Sequence, residues 1–184
     1  MRAPYRRSQN GRKTYFTYAF IDSQNLNLGT SKDIIRNGKT IYKGWKLDYG
    51  KFFIYLKDKF RINKTFLFIG YIQKNKPLYK YLESCGYILI FKPTTKDNFG
   101  KAKGNIDAEL VLHASAIEFN NYDQAVIVSG DGDFYCLYEY LEKKVKLKSI
   151  IIPNERSESS LLKKFQKYKT FIWFDRKKVE LREK

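Results

Sequence analysis

The chain has 184 residues, 43% of them hydrophobic and 17% aromatic, which excludes intrinsic disorder and provides for one sizeable packed core. Its 36 Lys and Arg against 19 Asp and Glu give a formal charge of +17, a balance that draws polyanions, nucleic acid first among them. No apolar run approaches the roughly 20 residues of a bilayer span. Cys85 and Cys136 form no CxxC pair, so neither a zinc site nor a disulfide framework is indicated, and both are read as buried reduced thiols.

Residues 1–13, MRAPYRRSQNGRK, are basic and lead into no apolar signal segment. They are expected to form a flexible arm on a soluble, cytoplasmic protein whose single domain covers 14–184. After the arm, strand-like and helix-like segments alternate. YFTYAFI (15–21) suits a central strand. IIRNGKTIY (34–42) carries Asn37-Gly38 between apolar flanks, the signature of a two-residue hairpin turn. KLDYGKFFIYLKDKF (46–60) sets Leu47, Phe52, Phe53, Leu56 and Phe60 on one helical face. TFLFIGYI (65–72) is continuous and β-prone, as in a strand covered on both faces. Pro77 opens the helix PLYKYLESC and Gly86 caps it, before the strand YILIFKP (87–93).

KDNFGKAKGN reads as an exposed loop. Helices are expected over IDAELVLHASAIEF (106–119), DFYCLYEYLEKK (133–144) and SESSLLKKFQKY. Strands are expected at AVIVS (125–129), KSIIIP (148–153) and TFIWF (170–174). Such alternation predicts an α/β fold, a mainly parallel sheet between layers of helices.

Ligands of such sheets sit beyond the carboxyl ends of the strands, so acids at those ends are the informative ones. Asp22 follows the first strand in FIDSQN, and Asp131 and Asp133 follow AVIVS in SGDGD. Asp107 opens the helix after GKAKGN. If these converge, their mutual repulsion raises their proton affinity or demands a cation. Oxygen donors select Mg²⁺ or Mn²⁺, and such ions serve phosphodiester hydrolysis without histidine. The single histidine, His113, lies among apolar residues of a helix and is read as structural.

Asn25, three residues after Asp22, is spaced to orient that carboxylate or a water. Ser129 is either a strand-end residue or a contact to phosphate or water. Asp133 is read as a cap for the next helix that also reaches a metal through water, while Asp48 and Glu109 are read as capping or solvated. Lys101 and Lys103, in the loop before Asp107, are placed to neutralise backbone phosphates. Exposed aromatics could stack on bases, but with 15 Tyr and 14 Phe the pattern does not single them out.

FIDSQNL (20–26), KGNID (103–107) and VSGDGDF (128–134), in that order, resemble the three signature blocks of NYN domains, specifically the LabA-like branch of the PIN-like nuclease superfamily. The resemblance runs from about Tyr15 to Phe174. It implies a three-layer Rossmann-like domain and metal-dependent RNA cleavage. The catalytic acids would be Asp22, Asp107, Asp131 and Asp133, with Asp22, Asp107 and Asp131 as metal ligands and Asn25 and Ser129 as companions. One departure is a glycine that members often carry after the helix following the third block, where this chain reads LEKKVKLK.

The expected activity is therefore that of a Mg²⁺- or Mn²⁺-dependent ribonuclease acting on single-stranded or structured RNA. The alternative is a non-catalytic RNA-binding or regulatory module. Other phosphotransfer folds with a DxD motif fit less well: Toprim domains expect a glutamate at the first strand, where this chain has Asp22, and haloacid-dehalogenase-like phosphatases place the motif after the first strand, whereas here it comes late. The hairpin around Asn37-Gly38 could support a homodimer.

Overall fold

Six short apolar runs, each bounded by polar or glycine-bearing connections, pair into one parallel sheet. The computed structural model describes residues 14–92 and 106–181, together with the backbone of 95–96 and 102–103, so the basic arm lies outside the described residues. In chain order the elements are β1 (Thr17–Asp22), α1 (Ser23–Ser31), β2 (Ile34–Arg36), β3 (Lys39–Tyr42), α2 (Tyr49–Phe60), β4 (Lys64–Gly70), α3 (Lys76–Cys85) and β5 (Ile88–Lys92). There follow β6 (Thr95–Lys96), β7 (Ala102–Lys103), α4 (Ile106–Leu112), β8 (Gln124–Val128), α5 (Tyr135–Lys143), β9 (Leu147–Ile152), β10 (Lys169–Phe171) and α6 (Arg176–Val179).

The sheet order is β10-β9-β8-β1-β4-β5, with every pairing parallel. From β1 the chain moves outward to β4 and β5, then returns to the other side of β1 for β8, β9 and β10. The order therefore reverses between β1 and β8, and a crevice opens beyond their carboxyl ends, where sheets of this kind bind ligands. β1 is buried along its whole length, and its side chains alternate between two cores. Tyr18 and Phe20 join Leu110, Leu137 and Phe165 on one face, whereas Ala19 and Ile21 join Phe52, Leu56 and Leu82 on the other. Each fully buried Phe or Leu contributes about 1.5–3 kcal/mol, so the two apolar faces fix where β1 ends and where Asp22 stands.

β2 and β3 form the expected antiparallel hairpin, with Arg36 opposite Lys39. Its turn holds Asn37 and Gly38 at φ 49° and 70°, the conformation that an Asn-Gly pair tolerates. Asp48 caps α2, accepting the Lys51 N–H at 3.0 Å. The buried face of α2 is Phe52, Tyr55, Leu56 and Phe60; Leu47 precedes the helix and pairs with Glu180. Phe53 is half-buried against Tyr87.

Four further expectations are corrected. The helix from Ile106 changes at His113 to a π-helical turn that ends at Ile117. Residues 160–168 form two short 3₁₀ turns that meet in a kink at Phe165 rather than one α-helix, and Leu162 and Phe165 are both buried in the core beneath the sheet. The last strand stops at Phe171, because β10 is, among the described residues, an edge paired with β9 alone; residues 172–175 turn away as 3₁₀ and carry Trp173 and Phe174 out of the sheet. Cys136 is exposed on the outer side of α5, whose Leu137, Tyr138 and Leu141 face inward, while Cys85 is half-buried; both thiols are free.

Candidate active site

Asp22 is the last residue of β1 and the cap of α1. Its Oδ1 accepts the N–H groups of Gln24 at 3.0 Å and Asn25 at 3.1 Å. An aspartate in this position satisfies the orphan donors of a helix start, and its carboxylate is thereby locked at the strand mouth. It is only 5% exposed. Burial above all, then the charges of Asp107 and Asp131, pushes its carboxyl up to about 6, although the Asn25 and Gln24 N–H groups oppose the shift.

Asp131 follows β8, the parallel neighbour of β1, and caps the 3₁₀ turn Gly132–Phe134 by accepting the Asp133 N–H at 3.0 Å. The capping role anticipated for Asp133 thus belongs to Asp131. Asp133 itself is exposed and lies outside the pocket lining. Ser129 is fully buried; its Oγ accepts the Asp131 N–H at 3.1 Å, and its carbonyl accepts the Tyr138 hydroxyl at 3.3 Å. The serine therefore shapes the loop that holds Asp131. Gly132 is required by close approach, because a Cβ there would lie 2.3 Å from Ser159 Oγ.

Asp107 stands in the first turn of α4, which packs across β1 and β4. Burial, then Asp131 and Asp133, raises its proton affinity, and Lys92 at the end of β5 lowers it. Asp22, Asp107 and Asp131 line one pocket of about 390 Å³, with Asn25, Lys32 and Asn154 also on its walls. Three segments far apart in sequence thus bring their acids to the reversal point of the sheet. Among the described residues, however, no group of three His, Cys, Asp or Glu side chains is arranged to enclose a metal ion by itself. The oxygen donors still fit a hard divalent cation of the Mg²⁺ type, which keeps several waters and binds through one or two carboxylates.

Asn25 ties the site together. Its backbone N–H binds Asp22, and its side-chain Oδ1 accepts the Gly130 N–H at 2.9 Å. The Gly130 carbonyl in turn accepts the Ser159 N–H at 3.0 Å, so the loops after β1, β8 and β9 form one hydrogen-bonded unit. Lys101 lies outside the described residues, and Lys103 is placed only as the backbone of β7. His113 packs against Phe68 and binds the Glu109 carbonyl at 2.9 Å, a structural placement.

Sequence reasoning missed three residues. Asn154 follows β9 and Pro153, so its position at a strand's carboxyl end was a usable signal. Lys32 reaches the pocket from the end of α1, and nothing in its local pattern marks it. Lys92 has a buried ammonium group with no hydrogen bond among the described residues; the surrounding strand pattern hid it.

The fold and these blocks agree with what the chain is similar to. A crystal structure of a protein of unknown function, VPA0982 from Vibrio parahaemolyticus RIMD 2210633, matches with a TM-score of 0.63 at 20% identity, covering 91% of this chain and 97% of that one. A search of curated proteins found no match. The NYN domain family model matches residues 17–173, the span that contains β1, the acid pocket and β10, and the chain belongs to the NYN domain family.

Proposed function

We propose that this protein is a metal-dependent ribonuclease that hydrolyses RNA phosphodiester bonds at the pocket of Asp22, Asp107 and Asp131. The observation that carries the reading is the buried Asp22 carboxyl, held at the sheet's reversal point with two further acids on the same pocket wall. NYN domains belong to the PIN-like nucleases, which generally depend on divalent metals, and the three signature blocks favour the LabA-like branch. The charge of +17 suits an RNA substrate.

Asp22, Asp107 and Asp131 would hold Mg²⁺ or Mn²⁺, which when bound polarises a phosphoryl oxygen and makes water a stronger nucleophile. The chain's own residues do the rest. Asp22 is fixed by two backbone N–H groups and presents its carboxylate without rearrangement. Asn25 and Ser129 position the loop that carries Asp131. Asp133 adds negative charge beside Asp107, and Lys101 and Lys103 neutralise flanking phosphates. The attacking water approaches the scissile phosphate in line, and no side-chain nucleophile is used.

The test is cleavage of single-stranded RNA in Mn²⁺ by the wild type and Asp131→Asn. Loss of about a hundredfold or more is expected if the acid stabilises several kcal/mol of transition-state charge. Undiminished cleavage removes the acids from the mechanism. A second reading, a non-catalytic RNA-binding module, draws on the lack of a three-ligand enclosure among the described residues. RNA binding that survives EDTA, with no turnover in Mn²⁺, would favour it. No described helix is long and apolar enough to cross a membrane.

A further inference from the structure

The acid pocket does not end at the acids. Asn154, after β9, lines both that pocket and a second hollow of about 250 Å³ that includes Lys43, Arg156 and Trp173. Trp173, after β10, lines both the second hollow and a third of about 540 Å³ that includes Phe174 and Lys177. The three follow the strand order β1, β8, β9, β10, and Ile34 and Ile41 of the β2–β3 hairpin, with Lys43 just after it, add to the lining of the first two. Three strand intervals of about 4.8 Å make the path from Asp22 to the β10 edge about 14 Å long.

The chemistry along the path changes from acidic to mixed with an excess of cations and aromatic rings: Lys43 and Arg156 against Glu155, then Arg176, Lys177 and Lys178 against Asp175 and Glu180. Among the described residues no ion pair engages Lys32, Lys43 or Lys177, and Arg156 is paired only loosely, at 3.8 Å, with the exposed Glu155. Phe174 is 76% exposed and meets Phe171 only edge-on, at 6.1 Å between ring centres. A large aromatic ring left three-quarters in water at the end of this groove contributes little packing. It offers a stacking face to a base, and the unpaired cations offer partners to phosphates.

We infer that single-stranded RNA lies along the carboxyl edge of the sheet, with one phosphate at the acid pocket, its neighbours crossing Asn154 to Lys43 and Arg156, and a base stacked on Phe174. This rests on the ribonuclease reading for the polarity of the path, but the binding surface can be tested apart from cleavage. A duplex is not the occupant, because its bases are already stacked and it is recognised through shape and backbone.

The experiment measures fluorescence anisotropy of a labelled oligouridylate in EDTA, with an RNA duplex of equal length as the comparison. Phe174→Ala should weaken single-strand binding by about fivefold or more, leave duplex binding unchanged, and be rescued by Phe174→Trp. Lys43→Ala/Lys177→Ala should reduce the slope of log K against log salt by about 1.4, near 0.7 for each phosphate contact on a single strand. Unchanged affinity and slope in these variants overturn the path, as does an equal loss on the duplex or a wild type that binds no single strand. The two readings fail separately. Normal cleavage with unaltered binding in the variants overturns the path alone. Variant-sensitive binding without any cleavage in Mn²⁺ overturns the ribonuclease alone.

Discussion

The side-chain oxygen of Asn25 accepts the backbone N–H of Gly130 at 2.9 Å across 105 residues of sequence. The bond joins the helix that begins at Asp22 to the loop that presents Asp131, so two of the pocket's acids are held in register by one amide. Asn25→Ala leaves the buried Gly130 N–H without that acceptor, which costs about 1–3 kcal/mol. Urea unfolding should report that loss. The turnover rate of the folded variant on single-stranded RNA should fall by about tenfold or more, because a displaced acid costs more than its share of stability. Full turnover by a destabilised variant would assign Asn25 to the fold alone.

Asp22 makes the metal-free protein sensitive to pH in an unusual direction. Its folded-state carboxyl titrates at about 6, above the 3.8 of an ordinary aspartate, because burial and the neighbouring acids disfavour the charge. The folded state therefore binds more protons than the unfolded chain across that window, and stability falls as pH rises from about 4 to about 6. The loss attributable to this one group is at most about 3 kcal/mol. Urea denaturation in EDTA between those pH values should show the decline in the wild type and a flatter profile in Asp22→Asn. Identical profiles would mean that Asp22 is not the strained group.

Much of this arrangement was legible in the sequence because it follows from strand ends. A buried strand such as TYAFID must stop where burial stops, and an acid placed there faces the crevice. The parallel sheet, the Asn37-Gly38 hairpin and the Asp22 and Asp131 positions followed from that logic and from turn chemistry. What escaped was set by tertiary packing. The kinked 3₁₀ path of residues 160–168 brings both Leu162 and Phe165 into the core, and the departure of Trp173 and Phe174 follows β10 as the sheet's edge. Asn154 and Lys32 line the pocket on either side of the close approach of Gly29 to Pro153, where a Cβ would come within 2.6 Å. No local pattern encodes such a contact.

The segment LEKKVKLK, where related domains often carry glycine, holds Val145 at φ 58°. This left-handed conformation suits glycine and strains a β-branched residue by about 1–3 kcal/mol. Val145 is 88% exposed, so its removal forfeits almost no packing. Val145→Gly should raise stability by about 1 kcal/mol after the added freedom of the unfolded chain is subtracted. Thermal unfolding measures it directly, and a lowered midpoint would show that the strain is absent.

Behind the Asp131 loop lies a partly buried ion pair, with the Glu158 side chain 21% exposed. Lys169, with a side chain 1% exposed, contacts Glu158 Oε1 at 3.1 Å, and Glu158 Oε2 is buried with no hydrogen bond among the described residues. Glu158 immediately precedes Ser159, whose N–H binds the Gly130 carbonyl at 3.0 Å. Lys169→Met would strand the carboxylate without its partner, at a cost below the about 3–5 kcal/mol of a fully buried pair because water still reaches Glu158, whereas replacing both members with apolar residues of similar volume is often neutral. The expected outcome is a fall in urea stability for Lys169→Met and recovery of most of it in Lys169→Met/Glu158→Leu. Additive losses in the double variant would show that the two side chains act independently, and that the ion pair does not anchor the loop beneath Gly130.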